Sequence, residues 1–187
     1  MLTICARTLF AVWMFLAVAT VAAGAAPHSY DLPDHGALNL LVPDGWIGEI
    51  KQPPNRLPPT IRLKPQSGEP FEILVTVIWP IGTVSILPDE AAIRSEIAAA
   101  AADALSQSVE RELPVQEIKG AQGGGFYFAS TDRAPKAGEF KYLTQGSIRV
   151  GALLLSFTVL TNDGQEAVVQ SALEMLRTAE HPEVKGN

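Results

Sequence analysis

Between Phe71 and Trp79 every second residue is apolar: Phe71, Ile73, Val75, Val77 and Trp79 share one face of a strand. Leu74 and Ile78 make the opposite face partly apolar, the pattern of a central strand covered on both sides. The same period runs through "ALLLSFTVLT", with Leu153, Leu155, Phe157 and Val159 facing one way and Leu154, Ser156 and Thr158 the other. "TIRLKP" alternates Ile61 and Leu63 with Arg62 and Lys64, a half-buried strand joined to the Phe71 strand across "QSGE". "ALNLLVP" reads as a first short strand, closed by Pro43 and the turn formers Asp44 and Gly45 before Trp46. "VQEIKG" reads as another strand.

Two segments change period. In "PDEAAIRSEIAAAAADALSQSVER", Pro88 stands near a helix start, with Asp89 and Glu90 in a first turn where negative charge suits the helix dipole. Ile93, Ile97, Ala100, Ala101, Ala104 and Val109 fall on one stripe, and the alanines let this face approach a sheet closely. A second helix runs through "NDGQEAVVQSALEMLRTAEH", with Val169, Ala172, Leu173 and Leu176 as its buried stripe. Asp163 with Glu166 three residues on predicts a capping box at its start.

The stretch "GGGFYFASTDRAPKAGEFKYLTQG" (123–146) carries the strand period twice, in Phe126-Tyr127-Phe128 and in Phe140-Lys141-Tyr142. It predicts a β-hairpin with a charged tip. A phosphate-cradling loop would need a helix behind the glycines and a following Lys with Ser or Thr, and these glycines run into a strand. They read as a flexible connection between strands. At the tip, Asp132, Arg133, Lys136 and Glu139 interleave opposite signs, as in a solvated hairpin end or, alternatively, a recognition loop. "TQGSIR" continues the second strand and Arg149-Val150-Gly151 reads as a tight reversal. Two further stretches read as unstructured: "APHSYDLPDHG" (26–36) as a flexible lead-in, and the proline-rich "IGEIKQPPNRLPP" (47–59) as a loop.

The expected order is therefore β-β-β-α-β-β-β-β-α: an α+β fold in which an antiparallel sheet of about seven strands carries two amphipathic helices. A strand ending in Val42-Pro43, then Gly45-Trp46, a proline-rich loop, two strands, a helix, a meander and a last helix resembles the PsbP-like fold family. That family holds extrinsic photosystem subunits, nuclear-import cofactors and small periplasmic proteins of unclear role. The resemblance covers nearly all of the chain after its leader and implies an α/β/α sandwich. It also implies a binding or assembly role rather than chemistry. Tethered members carry a lipidated cysteine after the signal peptide; this chain has none there, so the anchor is not carried over.

Residues 1–25 have the order of a secretory signal peptide: Arg7 near the amino terminus, an apolar run from Leu9 to Ala23, then small residues. Ala23 and Ala25 suit positions −3 and −1, which places the cut after Ala25; an uncleaved anchor is the alternative. Cleavage removes Arg7 and the single cysteine, Cys5. One basic residue fewer than the 14 of the full chain then faces 20 acidic ones. An exported, thiol-free, acidic chain fits a periplasm or extracellular space, with no membrane span retained, and it lacks the basic stripe that nucleic acid requires. The domain is placed at 37–181, with 182–187 as a tail.

Candidate chemistry is thin. His28, His35 and His181 lie outside the predicted rigid elements, whereas a catalytic histidine needs an orienting partner and a zinc site three or four convergent ligands. An Ala-Pro-His terminus after cleavage mimics an amino-terminal copper motif, but Pro27 has no amide proton to lose. No serine stands in a nucleophile elbow, "NDGQE" is too short for a calcium loop, and Glu110 and Glu112 are expected to face solvent. Trp46 and Trp79 are candidates to line a pocket, though aromatics at strand ends are mostly core. The expectation is an exported, non-enzymatic module without metal or cofactor that binds a protein partner in the cell envelope, with Trp46, Arg133 and Lys136 as candidate binding residues. The alternative is a small-ligand or lipid carrier using the gap between sheet and helix near Trp46.

Overall fold

The structure is a computed structural model that describes residues 24–54, 57–80 and 86–182. The expected signal segment through Ala23, including Cys5, and residues 183–187 of the expected tail lie outside the described residues, whereas Gly24 and Ala25 lie within them. Among the described residues, nine strands and two α-helices follow one another: β1 (Ala25–Asp31), β2 (Ala37–Pro43), β3 (Trp46–Lys51), β4 (Thr60–Pro65), β5 (Glu72–Ile78), α1 (Glu90–Ala104), β6 (Gln116–Gly120), β7 (Gly123–Thr131), β8 (Tyr142–Val150), β9 (Leu153–Thr161) and α2 (Glu166–Arg177). Seven of the strands form one antiparallel sheet in the order β3-β4-β5-β9-β8-β7-β6, and β1 and β2 form a separate antiparallel pair. This is the expected α+β sandwich.

The alternation of apolar residues explains the layers. Ile73, Val75 and Val77 of β5 and Leu155, Phe157 and Val159 of β9 are fully buried on one face. That face is covered by α2, through Ala172, Leu173 and Leu176, and by Leu38, Leu40 and Val42 of β2. The other face carries Phe126 and Phe128 of β7 and Leu154 of β9 against Ile93, Ile97 and Ala101 of α1. The helix α1 lies over β7 and β8, and Arg94 stands over the Phe126 ring at 5.4 Å. Its N-cap is Asp89, whose carboxylate accepts from the Ala92 N–H at 2.8 Å.

Several expectations are corrected. The lead-in is not a free segment, because β1 pairs with β2 from Ala25–Pro43 to Asp31–Ala37 and buries Tyr30. His28 therefore sits on a strand. The Tyr30 hydroxyl lies directly over Gly48, where any side chain would collide with it. The segment after Trp46 is also a strand: β3 pairs with β4 at the sheet edge, with Trp46, Gly48 and Ile50 half-buried on one side. The glycines 123–125 belong to β7 rather than to a flexible link, and Gly125 is buried against the Ser147 carbonyl. Val109 lies beyond the end of α1 and is 59% exposed. The capping box does not form. The turn at Gly164, with φ 79°, delays α2 to Glu166, and Asp163 is drawn away to Lys141 and Tyr142. The reversal expected at Arg149-Val150-Gly151 falls at Gly151-Ala152, with Gly151 at φ 58°, because β8 runs through Val150.

Close strand packing makes a sharp test. A Cβ on Gly146 would lie 2.5 Å from Tyr127 Cβ and 2.7 Å from the Phe157 ring, and would also strike the Phe126 carbonyl. Gly146→Ala is expected to lower stability by about 1–3 kcal/mol through overpacking. Urea unfolding measures it, and a wild-type midpoint would contradict the tight β7-β8-β9 contact.

Candidate functional site at the hairpin end of the sheet

The strands β7 and β8 form the expected hairpin, paired from Gly125–Ile148 to Thr131–Tyr142. Its tip is exposed from Arg133 to Glu139. The base is not free, because the segment that follows α1 runs antiparallel beside it: Ser108 bridges Asp132, and the Val109 N–H donates to the Thr131 carbonyl at 2.9 Å. Arg133 fastens the same contact. Its backbone N–H donates to the Gln107 carbonyl at 2.9 Å and its Nη2 to the Ser108 carbonyl at 2.6 Å. Arg133 is thus held by the fold as well as exposed.

Glu110 is the centre of this clasp, contrary to the expectation that it faces solvent. Its carboxylate accepts from the Thr131 N–H at 3.0 Å, from the Thr131 hydroxyl at 2.6 Å, and from the Ser108 hydroxyl. Partial burial raises its pKa, but the bonds from Ser108 and Thr131 outweigh that and lower it to about 2. The group is therefore ionised throughout the physiological range. Glu112 is exposed as expected.

A cleft opens on each face of the sheet at this end. On the α2 side, a cavity of about 290 Å³ lies among Thr131, Tyr142, Thr144, Thr161, Val169 and Gln170, with Glu110 and Glu166 at its margins. On the α1 side, a second cavity of about 310 Å³ is walled by Ala104, Gln107, Phe140, Leu143 and Leu160. The bottom of the α2-side cleft is braced by polar contacts. The Asn162 N–H donates to Gln165 Oε1 at 2.8 Å, and Gln165 Nε2 donates to the Glu69 and Pro70 carbonyls at 3.3 and 3.2 Å. Lys141 Nζ contacts both Asp163 oxygens at 2.8 and 3.0 Å, and the Tyr142 hydroxyl donates to Asp163 at 2.6 Å. The bond to Asp163 raises the Lys141 pKa, and the bond from Lys141 lowers that of Asp163.

The three sequence candidates do not converge. Trp46 is half-buried on β3 and packs on Phe71, with ring centroids 4.9 Å apart. It stands four to five strand positions from β8 and β7, or roughly 19–24 Å at about 4.8 Å per strand. Lys136 is 83% exposed at the tip, 3.9 Å from Glu139. Trp79 does line a cavity of about 460 Å³, elsewhere, with Asp34, His35 and His181. There the His35 ring lies 4.4 Å from the Trp79 ring. His181, read as loose, is buried, and its Nε2 donates to the His35 carbonyl at 2.8 Å. Among the described residues no group of three His, Cys, Asp or Glu could hold a metal ion. Among them, too, no helix is long and apolar enough to cross a membrane.

Sequence reasoning missed Glu110, Thr131, Thr144 and Thr161. The Ser108-Val109-Glu110 spacing was a usable signal, since a serine two residues before an acid after a helix end favours a local side-chain turn.

The clasp has a signed pH dependence. A depressed carboxylate adds stability that is complete above its unfolded value near 4.5 and is lost as pH falls toward about 2. Glu110→Gln leaves the Ser108 and Thr131 donors poorly matched, an expected cost of about 1–3 kcal/mol at neutral pH. The gap in urea midpoint between wild type and variant should narrow between pH 4.5 and 2. A gap that is constant or that widens on acidification contradicts the assignment.

No protein-family model matches this chain, and no curated protein matches it. Among solved structures it is similar to cyanobacterial PsbP (CyanoP) from Synechocystis, determined in solution. The two are 12% identical with a TM-score of 0.51, over 89% of this chain and 99% of that one. At that identity the likeness speaks for architecture alone, and the fold of this chain is PsbP-like.

Proposed function

We propose that this protein is an exported, non-enzymatic module that binds a protein partner of the cell envelope through the β7–β8 hairpin end. The observation that carries the reading is the construction of that end. An exposed charged loop, residues 133–139, stands on a base locked by Glu110 and Arg133, with a cleft on each face of the sheet. Loops held by rigid strands are where recognition residues concentrate, and a pre-ordered base lowers the entropy lost on binding.

Export is supported by the leader pattern, and the fold tolerates the cut. A cut after Ala25 leaves every β1–β2 pair from Ala26–Val42 to Asp31–Ala37 in place. It gives up the Asp44 N–H bond to the Gly24 carbonyl, at 2.8 Å. The carrier alternative placed its ligand beside Trp46. There the indole packs on Phe71, and Trp46 lines none of the cavities named above.

Lys136 separates binding from folding better than Arg133 does, because Arg133 also fastens the clasp. In cross-linked pull-down from envelope extract, Lys136→Glu is expected to retain severalfold less of the specific partner band while unfolding at the wild-type midpoint. Arg133→Ala should lower both. Equal retention by Lys136→Glu and wild type would sink the hairpin end as the docking surface.

A further inference from the structure

The geometry points to a cation-accepting site in the α2-side cleft: it takes a primary ammonium or guanidinium group, of the kind a lysine or arginine side chain of a partner presents. The inference rests on the partner-binding reading for its biological occupant, but its chemistry comes from the cleft alone.

Thr144 and Thr161 line this cavity although the residues are 4% and 2% exposed. Neither hydroxyl has a hydrogen-bond partner among the described residues, and neither is shut away from the cavity as a closed, unsatisfied atom. Two hydroxyls on otherwise buried residues are therefore open to the cavity and can accept from whatever enters. Polar groups on residues this far buried normally find partners, so such a pair marks a place where a ligand or water completes the set.

The charge around them has one sign. Glu110 is held ionised by its donors on one margin, and Glu166 lies on the other. Among the described residues no lysine or arginine lines the cavity, and the adjacent Lys141 is committed to Asp163 at 2.8 Å. The amino end of α2 opposes a cation with a partial charge of about +0.5, but one full carboxylate in its own first turn, Glu166, exceeds that. The remaining walls, the Tyr142 ring and Val169, suit the methylene stem behind a charged head. A space of about 290 Å³ admits a four-carbon stem with its head group. An anion would meet two carboxylates and is excluded.

The test uses isotope-labelled protein of residues 26–187 and n-butylammonium chloride as the probe, with ionic strength held constant by sodium chloride. Saturable amide shifts are expected at Thr131, Thr144, Thr161 and Gln170. Methylguanidinium should behave in the same way. Butanol of equal length and butyrate should give no saturable shift there. Glu166→Gln and Thr161→Val are each expected to weaken butylammonium roughly tenfold, the loss of one hydrogen bond to a charged group. Both are near-isosteric, so an unchanged spectrum elsewhere verifies the fold. Absence of saturable shifts, equal response to butanol, or preference for butyrate overturns the site. A positive titration beside a Lys136→Glu variant that pulls down its partner normally would remove the hairpin-tip docking while leaving the cleft's cation selectivity intact.

Discussion

The structure depends on one constraint: the middle strands of the sheet are apolar along one face and partly apolar along the other, so the sheet needs cover on both sides. β5 and β9 pair along their whole length and carry Val75, Val77, Leu155 and Phe157 to one side. No single element is wide enough for that side, so α2 and the β1–β2 hairpin share it. The second face is closed by α1 over β7 and β8, where Phe126 and Phe128 are buried. Burial of a side chain of this size contributes on the order of 2–3 kcal/mol, so the sum over these layers dominates the fold.

Where the covering elements stop, polar chemistry begins. α1 ends at Ala104, and the chain then needs partners for its own backbone groups. It finds them at the base of the β7–β8 hairpin, through Ser108, Glu110 and Thr131. A carboxylate accepting several short bonds is worth more than a surface ion pair such as Lys136–Glu139, which is exposed and screened. The base of the loop is therefore ordered by hydrogen bonds while its tip stays free to meet a partner. The same carboxylate gives the adjoining cleft its sign.

The layers were legible because burial writes itself as period. β5 and β9 alternate over seven or more residues, β4 over a shorter run, β7 shows as a short aromatic run, β8 as its hairpin partner, and both helices carry a stripe, so the α+β sandwich follows from those residues alone. β1 was not legible because it contributes one buried side chain, Tyr30, and is held by backbone pairing that leaves no mark in composition. β3 was obscured by Gly48, which breaks the apolar alternation of Trp46 and Ile50 to admit the Tyr30 hydroxyl. At the site, the exposed residues Arg133 and Lys136 could be named from their loop. The local turn of Glu110 with Ser108 had a signal in their spacing, but its bonds to Thr131, twenty-one positions away, had none. Thr144 and Thr161 are silent for the same reason: their role depends on a cavity made by three strands and a helix.

The central claim is that the hairpin end is a separately fastened unit on an otherwise cooperative sheet. Native-state amide hydrogen exchange of wild type and Glu110→Gln tests it most directly. The account predicts that the variant accelerates exchange at Val109, Thr131 and Arg133, while amides of β5 and β9 continue to report the global unfolding free energy. Faster local opening spread evenly through β5 and β9, or no change at the hairpin base, would contradict it.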